Sequence, residues 1–258
     1  MGLFSREYRF LLWELTRTEF KLRDQGTVLG FLWTLLHPAL LFAVLYMLFL
    51  KWMGKYVDQY AAYLIVGLIQ WQFFEKATAF ALTSLRRRSA LVRNFKCPHD
   101  VIVLSTVGCV LASYLLELLV AAVIVVSLGH FPSLRWFALP GLIAAHLAFT
   151  LGVSLWLALA AVEFQDLERI WTILMTAGFF LTPIFYPLAI LTERYQKLLD
   201  LNPLVHLLSA FRWCLVPDYG FKGAWLAGVF AVGLLLTVGA LVVYRRAGHW
   251  ITERLLRP

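Results

Sequence analysis

The chain lacks Gly-x-x-x-x-Gly-Lys-Ser/Thr, so it holds no P-loop with which to cradle nucleotide phosphates. It lacks His-Glu-x-x-His and Gly-x-Ser-x-Gly as well, so neither a zinc peptidase nor a serine nucleophile is signalled. Cysteine is scarce. Cys97, Cys109 and Cys214 make no Cys-x-x-Cys spacing, which excludes a disulfide framework and a zinc site. Charge is scarce too, at 15% of residues, and it clusters rather than scatters. No stretch is long and polar enough for a second folded domain. The first 27 residues carry too many charges to hold the apolar region of a signal peptide, so no cleavable leader is expected.

What is abundant is apolar surface. Of 258 residues 61% are hydrophobic, and the mean hydropathy is +0.77. A soluble domain is nearer half apolar, so the composition indicates an integral membrane protein, and the expected fold is all-α. The net charge of +8 would suggest nucleic acid in a soluble chain. Here the basic residues flank apolar runs, and membrane topology explains them better, so no nucleic-acid partner is expected.

Residues 1–27 read as an amphipathic helix. Tyr8, Leu11, Leu12, Leu15 and Leu22 recur at near-helical spacing, with Arg6, Arg9, Glu14, Arg17 and Lys21 between them. Such a helix is expected to lie in the headgroup plane. Residues 28–258 form one membrane domain with six expected spans: 28–50, interrupted by Pro38; 60–85; 101–128; 136–162; 170 to about 187; and 224–244.

The fifth span is unusual. Pro183 and Pro187 interrupt its end, and a short amphipathic piece with Glu193, Arg194, Lys197 and Asp200 follows. Asn202-Pro203 then breaks the chain before a second apolar run of about 13 residues, 204–216, which includes His206 and Arg212. At 1.5 Å per residue that run reaches roughly 20 Å, short of a hydrocarbon core of about 30 Å. The expectation is a re-entrant hairpin between the fifth and sixth spans, built on Pro183, Pro187, Asn202, Pro203 and Arg212. Broken backbone at membrane depth is tolerated only beside protein or a wet cavity, so this stretch is the best pointer to a transport path.

Six crossings put both termini on one side. About two-thirds of the 23 lysines and arginines fall on that side, notably Arg86, Arg87, Arg88, Arg93 and the tail from Arg245, which places both termini in the cytoplasm. The basic stretch from Arg86 to Asp100 has apolar members Leu91, Val92 and Phe95 and a break at Pro98. It reads either as a docking helix for a cytoplasmic partner or as ordinary anchoring near anionic lipid. Glu75-Lys76, Glu117 and His146 sit inside spans, where ionisable groups are costly. Glu75 and Lys76 are adjacent and do not face each other on a helix, which suits a hydrated vestibule. Glu117 and His146 could pair between the third and fourth spans, or cap polar contacts in the bundle. Aromatics make up 16% of the chain, and Trp33, Tyr63, Trp71, Phe73, Phe74, Phe179, Phe180, Phe185 and Tyr186 fall in the first, second and fifth spans. Belts and packing explain most aromatics, yet such rings also stack on the C–H faces of sugars.

Four motifs in order resemble one family. Leu29-Gly30-Phe31-Leu32-Trp33 with Pro38, after a basic amphipathic start, is similar to the beginning of the first span of type-2 ABC exporter permeases. Phe95-Lys96-Cys97-Pro98 resembles their coupling region. Thr182-Pro183-Ile184-Phe185-Tyr186-Pro187, then Leu201-Asn202-Pro203 and Arg212, resembles their fifth span and periplasmic hairpin. The resemblance is strongest to the branch exporting O-antigen, capsule and teichoic-acid polysaccharides. It implies a homodimer carrying two copies of a cytoplasmic ATP-binding subunit in a bacterial inner membrane. ATP and magnesium would be bound by that partner, with no cofactor, metal or catalytic residue in this chain. Arg86, Arg87, Arg88, Leu91, Arg93, Phe95 and Pro98 would take up the ATPase's motion. Trp33, Tyr63, Trp71, Phe74, Phe179, Phe180, Phe185 and Tyr186 would line a channel for a lipid-linked glycan. One departure is that the family's Arg-Asp-Leu before the fifth span reads Gln165-Asp166-Leu167 here, with Arg169 a possible substitute one turn on. Two other readings are a permease for drugs or small lipids, and an intramembrane enzyme acting on a lipid-linked sugar through Glu75, Glu117 and His146.

Overall fold

The computed structural model describes residues 5–23, 32–89, 91, 97–216, 219–221 and 223–256, and all regular elements among them are helical. In chain order these are α1 (Arg6–Arg23), α2 (Leu32–Met53), α3 (Tyr60–Arg87), α4 (His99–Ser127), a 3₁₀ turn (Leu134–Ala138) leading into α5 (Leu139–Glu163), α6 (Leu167–Leu181), a 3₁₀ turn (Leu188–Ile190), α7 (Glu193–Leu199), α8 (Pro203–Leu215), α9 (Ala224–Arg246) and α10 (Gly248–Leu256). α2, α4, α5 with its lead-in, and α9 are long and apolar enough to cross a membrane. α3 is as long, at 28 residues, but carries Gln70, Gln72, Glu75 and Lys76 within it. α6 has only 15 residues, because the chain leaves the helix at Thr182 instead of continuing to about residue 187 as expected.

Side-chain pairs set the helix directions. Gln70 meets His146, Phe74 meets Phe149, and Arg86 reaches the Ala161 carbonyl, so α3 and α5 run the same way. Thr237 reaches the Ala148 carbonyl and Tyr244 the Leu155 carbonyl, so α9 runs with them. Against α3, Lys76 meets Glu117 while Arg88 meets Ser105, and Trp71 meets Phe179 while Trp171 meets Thr78. α4 and α6 therefore run opposite to α3. α2 does too, since Tyr46 near its end stacks towards Tyr60 at the start of α3. Six helices thus alternate in direction around a shared apolar core centred on α3, where Tyr63, Leu64, Leu68, Phe73 and Ala77 are wholly enclosed.

The tightest crossing joins α5 and α9. A Cβ added at Gly233 would sit 2.5 Å from the Phe149 nitrogen, and one at Gly152 2.6 Å from the Leu236 Cβ. Only glycine lets these backbones approach so closely, the small-residue logic of packing in lipid.

α1 does not stand alone on the surface. Tyr8 bonds Asp100, and Thr16 lies against Gly108. Equal spacing of eight residues on both helices means that α1 follows α4's direction at an acute angle over about 12 Å. The amphipathic helix expected here is thus docked on the start of α4. α10 also meets that start, through His99 and Thr252. Both described termini therefore lie at one end of the bundle, termed here the terminal end.

Candidate functional site

The far end of the bundle holds a break in the helical backbone. α6 stops where Pro183 removes a backbone donor, which leaves carbonyls in its last turn unpaired. The Tyr186 hydroxyl reaches back to the carbonyls of Phe180 (3.2 Å) and Leu181 (2.8 Å). The following stretch, 183–186, is non-helical and needs partners for its own carbonyls. α3 and α8 supply them. Tyr60 donates to the Phe185 carbonyl (2.9 Å) and Tyr63 to that of Tyr186 (2.8 Å), with a longer bond to Pro183 (3.3 Å).

Arg212 completes the set. The residue is 1% exposed. It donates to the carbonyls of Pro183 (2.8 Å), Ile184 (2.7 Å) and Tyr63 (3.2 Å), and its Cζ lies 3.4 Å from the centre of the Tyr63 ring. Among the described residues no carboxylate pairs with it. A buried cation normally demands an ion-pair partner. Here carbonyl dipoles and an aromatic face take that place. Gly67, one turn beyond Tyr63, makes the space: a Cβ there would strike the Arg212 guanidinium and lie 3.0 Å from the Ile184 carbonyl oxygen.

α8 itself is buried except at Pro203, Ser209 and Trp213. Asn202 caps its start by accepting from the Leu204 amide (3.0 Å). Near that start His206 stacks on Trp225 at the beginning of α9, with ring centres 4.8 Å apart. At its other end Cys214 donates to the Arg135 carbonyl (2.9 Å), in the lead-in to α5. Since α5 and α9 run the same way, both ends of α8 touch the far end of the bundle. This 13-residue helix thus begins and ends at the same end of the bundle.

Between α2, α3 and α6 an open groove of 410 Å³ is lined by Trp71, Phe179 and Phe180 together with His37, Glu75 and Lys76. Of the aromatics expected to line a channel, Trp33, Phe180 and, in part, Phe179 face outward; Phe185 and Tyr186 are half-buried beside the break. Trp71 contributes an edge to the groove while packing beneath Gly178. Tyr63 and Phe74 are enclosed within the single chain, Tyr63 as the hinge of the carbonyl network and Phe74 against Phe149.

The buried charges differ from expectation. Glu117 does not meet His146. It pairs with Lys76 at 2.9 Å, because antiparallel α3 and α4 bring those positions level. His146 instead faces Gln70, whose Oε1 accepts from both the imidazole Nδ1 (3.0 Å) and the Tyr114 hydroxyl (2.7 Å). Lys76 is therefore an ion-pair member at the groove's edge rather than a solvated side chain.

At the terminal end arginines knit helices together. Arg86 reaches the Ala161 carbonyl at the end of α5. Arg88 bridges to Glu19 of α1 (3.0 Å) and Ser105 of α4 (3.4 Å), and Thr106 also donates to Glu19 (3.2 Å). Arg254 of α10 pairs with Glu163 (3.0 Å). Tyr8 donates to Asp100 (2.7 Å); burial and that carboxylate push its hydroxyl well above the usual phenol range. Cys97, beside them, is likewise raised by burial and by Asp100. Of the residues expected to couple to an ATPase, Arg86 and Arg87 form the last turn of α3, Leu91 is half-buried, and Pro98 leads into α4. Arg87 alone of the three arginines is exposed. Arg93 and Phe95 lie outside the described residues.

Sequence reasoning missed the carbonyl-binding role of Tyr60 and Tyr63. The available signal was the spacing Tyr60, Tyr63, Gly67, which places two hydroxyls and a gap along one helical face opposite a proline-broken segment.

O-antigen export system permease protein RfbA of Myxococcus xanthus is 32% identical over 208 residues, covering 80% of each chain. RfbA of Klebsiella pneumoniae is 27% identical over 250 residues, 95% of each. The polysialic acid transport protein KpsM of Escherichia coli is 23% identical over 227 residues, covering 84% of this chain and 85% of its own. The family model for ABC-2 type transporters matches residues 11–216, from within α1 through the whole of α8. A helical membrane bundle with a broken sixth helix, matched along that length, is a member of the ABC-2 type transporter family.

Proposed function

We propose that this chain is the transmembrane subunit of an ATP-driven exporter that moves a lipid-linked polysaccharide across the bacterial inner membrane. The observation that carries the reading is the non-crossing α8, locked to the broken end of α6 by Arg212. It leaves α6 ending short of the far side, beside an aromatic-rimmed groove. The names of the relatives supply the class of cargo: O-antigen for two of them, polysialic acid for the third.

In this reading the six alternating helices α2, α3, α4, α5, α6 and α9 are the spans. Both termini are cytoplasmic, α7 and α8 form the periplasmic re-entrant hairpin, and residues 28–258 are one domain preceded by the interface helix of residues 1–27. Two copies assemble with two cytoplasmic ATP-binding subunits, which bind ATP and magnesium, since this sequence carries no P-loop. The aromatics on the groove give a sliding glycan many weak stacking sites. The exposed Arg87 faces the ATPase. An intramembrane enzyme is disfavoured, because Glu117 and His146 are committed to different partners and do not converge with Glu75 on one point.

The test is export in cells whose ATP-binding subunit has lost its P-loop lysine. Surface glycan disappears while the permease remains in the membrane; glycan delivered at the normal rate refutes the reading.

A further inference from the structure

The turn between α4 and α5, at the far end of the bundle, presents its apolar side chains outward. Phe131 is 78% exposed, Leu134 86% and Phe137 84%. Leu134 and Phe137 lie three apart in the 3₁₀ turn, where such positions fall on one face. Three large apolar side chains grouped so closely mark a contact surface rather than a solvated turn. The ridge continues an exposed stripe of α4. Leu116, Leu119 and Val123 recur there at helical spacing, and Leu128 follows at the helix end. Gly129, at φ +91°, then turns the chain sharply. Its amide bonds the Val126 carbonyl (2.9 Å) and the His130 amide that of Val125 (3.2 Å), so these carbonyls of the last turn need no water.

We propose that residues 131–137 are a membrane-surface anchor: Phe131, Leu134 and Phe137 enter the headgroup layer of the far leaflet, and the turn holds the end of α8 at that depth. Length sets the level. The 29 residues of α4 reach about 43 Å, matching the ~40–45 Å of a bilayer with its headgroups. With the α1 and α10 docking point at one headgroup layer, the turn comes level with the other. A lipid surface fits better than a second copy or a soluble partner, because the ridge runs on from a stripe that meets acyl chains when α4 spans. Its composition agrees: from Leu128 to Phe137 the chain holds His130 and Arg135 and no carboxylate, and aromatic and basic side chains suit the interface. The tie to α8 is made behind the ridge. The Arg135 guanidinium lies 5.5 Å from the centre of the Trp213 ring, and Cys214 donates to the Arg135 carbonyl at 2.9 Å. The inference rests on α4 and α5 being spans, as proposed above, and does not require that the chain exports glycan.

The experiment uses the full chain in phosphatidylglycerol–phosphatidylethanolamine nanodiscs, with Cys97→Ser to remove the half-buried thiol. Leu134→Cys is labelled with bimane, and the background chain without it serves as the blank. Lipid carrying a nitroxide near its headgroup quenches the label, and aqueous iodide does not. Phe131→Ser with Leu134→Ser and Phe137→Ser, all at exposed positions, leaves the chain folded and speeds amide hydrogen exchange over residues 212–215 severalfold. Arg135→Gln speeds that exchange while leaving the lipid quenching in place, because it cuts the tie and not the ridge. Quenching by iodide, or exchange in α8 unmoved by the triple variant, overturns the proposal. A label screened from both quenchers, with Leu134→Cys cross-linking two chains, overturns it too and gives the ridge to a second copy. Failure here with ATP-driven export intact leaves the transport reading standing.

Discussion

Arginine does two different things at the two ends of this molecule. At the far end Arg212 is sealed in the protein and bound to three carbonyls and a ring, with no carboxylate pairing among the described residues. At the terminal end Arg88 and Arg254 make ion pairs near the surface, and Arg86 caps a helix end. The difference is one of dielectric. Near water an ion pair gains about 0–1 kcal/mol, and neighbouring contacts replace it readily. Inside, each dipole aimed at the charge matters, because no solvent substitutes for it. The far end is therefore built as a fixed joint, and the terminal end as a set of weak, exchangeable ties.

The sharpest way to break this comparison is to remove Arg212. Arg212→Met leaves the Ile184 carbonyl without its donor and opens space against Gly67, so a loss of about 3 kcal/mol or more is expected. Arg212→Lys restores little, since a point charge cannot fork to Pro183, Ile184 and Tyr63 together. Thermal unfolding of the purified chain reads both variants. A melting point unchanged in either would mean that the break in α6 is held by something else.

An intermediate case sits between the two ends. Lys76–Glu117 is an ion pair whose acid is only 3% exposed and whose base is 28% exposed. Lys76→Met strands a buried carboxylate and should cost about 2–3 kcal/mol, less than the 3–5 kcal/mol of a fully buried pair because Lys76 meets the groove. Lys76→Met with Glu117→Leu should recover most of that loss. A double variant no better than the single would show that the two side chains do not act as a pair.

Much of this was legible in the sequence, and the limit has a physical cause. Helix extents follow from local apolar runs: α3 starts at Tyr60, as expected, and α9 at Ala224. The short α8 follows from the Asn202-Pro203 break and from length alone. Partnerships across helices do not follow, because they depend on axial register that no single run encodes. A pair with His146 was therefore one of the readings open for Glu117, when its neighbour is Lys76, 41 residues earlier. Tyr63 read as one aromatic among many, since neither composition nor periodicity shows that its hydroxyl meets a carbonyl 123 residues on. The triple arginine read as either a docking element or a lipid anchor, and the run could not show that Arg86 and Arg88 turn inward to partners on α5, α1 and α4.

At the terminal end the expected effects are smaller. Arg254→Ala removes the tie between α10 and Glu163, both about one-third exposed, and should cost less than about 1 kcal/mol. Charge reversal at both positions, Arg254→Glu with Glu163→Arg, should return the melting point to the wild-type value. A loss as large as that of Arg212→Met would erase the distinction between fixed joint and exchangeable tie.

The smallest effect concerns the arginine that the family pattern places before the fifth span and this chain lacks. Arg169 stands 3.9 Å from Asp166, and both side chains are more than 80% exposed. At that distance, in water, the pair is a solvated contact between a helix's first turn and its cap. Arg169→Ala should therefore leave the melting point unchanged within the scatter of replicate measurements. Installing arginine at Gln165 should be equally silent in the isolated chain, because Gln165 is exposed too. If Gln165→Arg raises the melting point only when the ATP-binding subunit is present, the position belongs to the exchangeable set at the terminal end. Its partner then lies on the other protein, and this chain lacks a contact that the arginine restores.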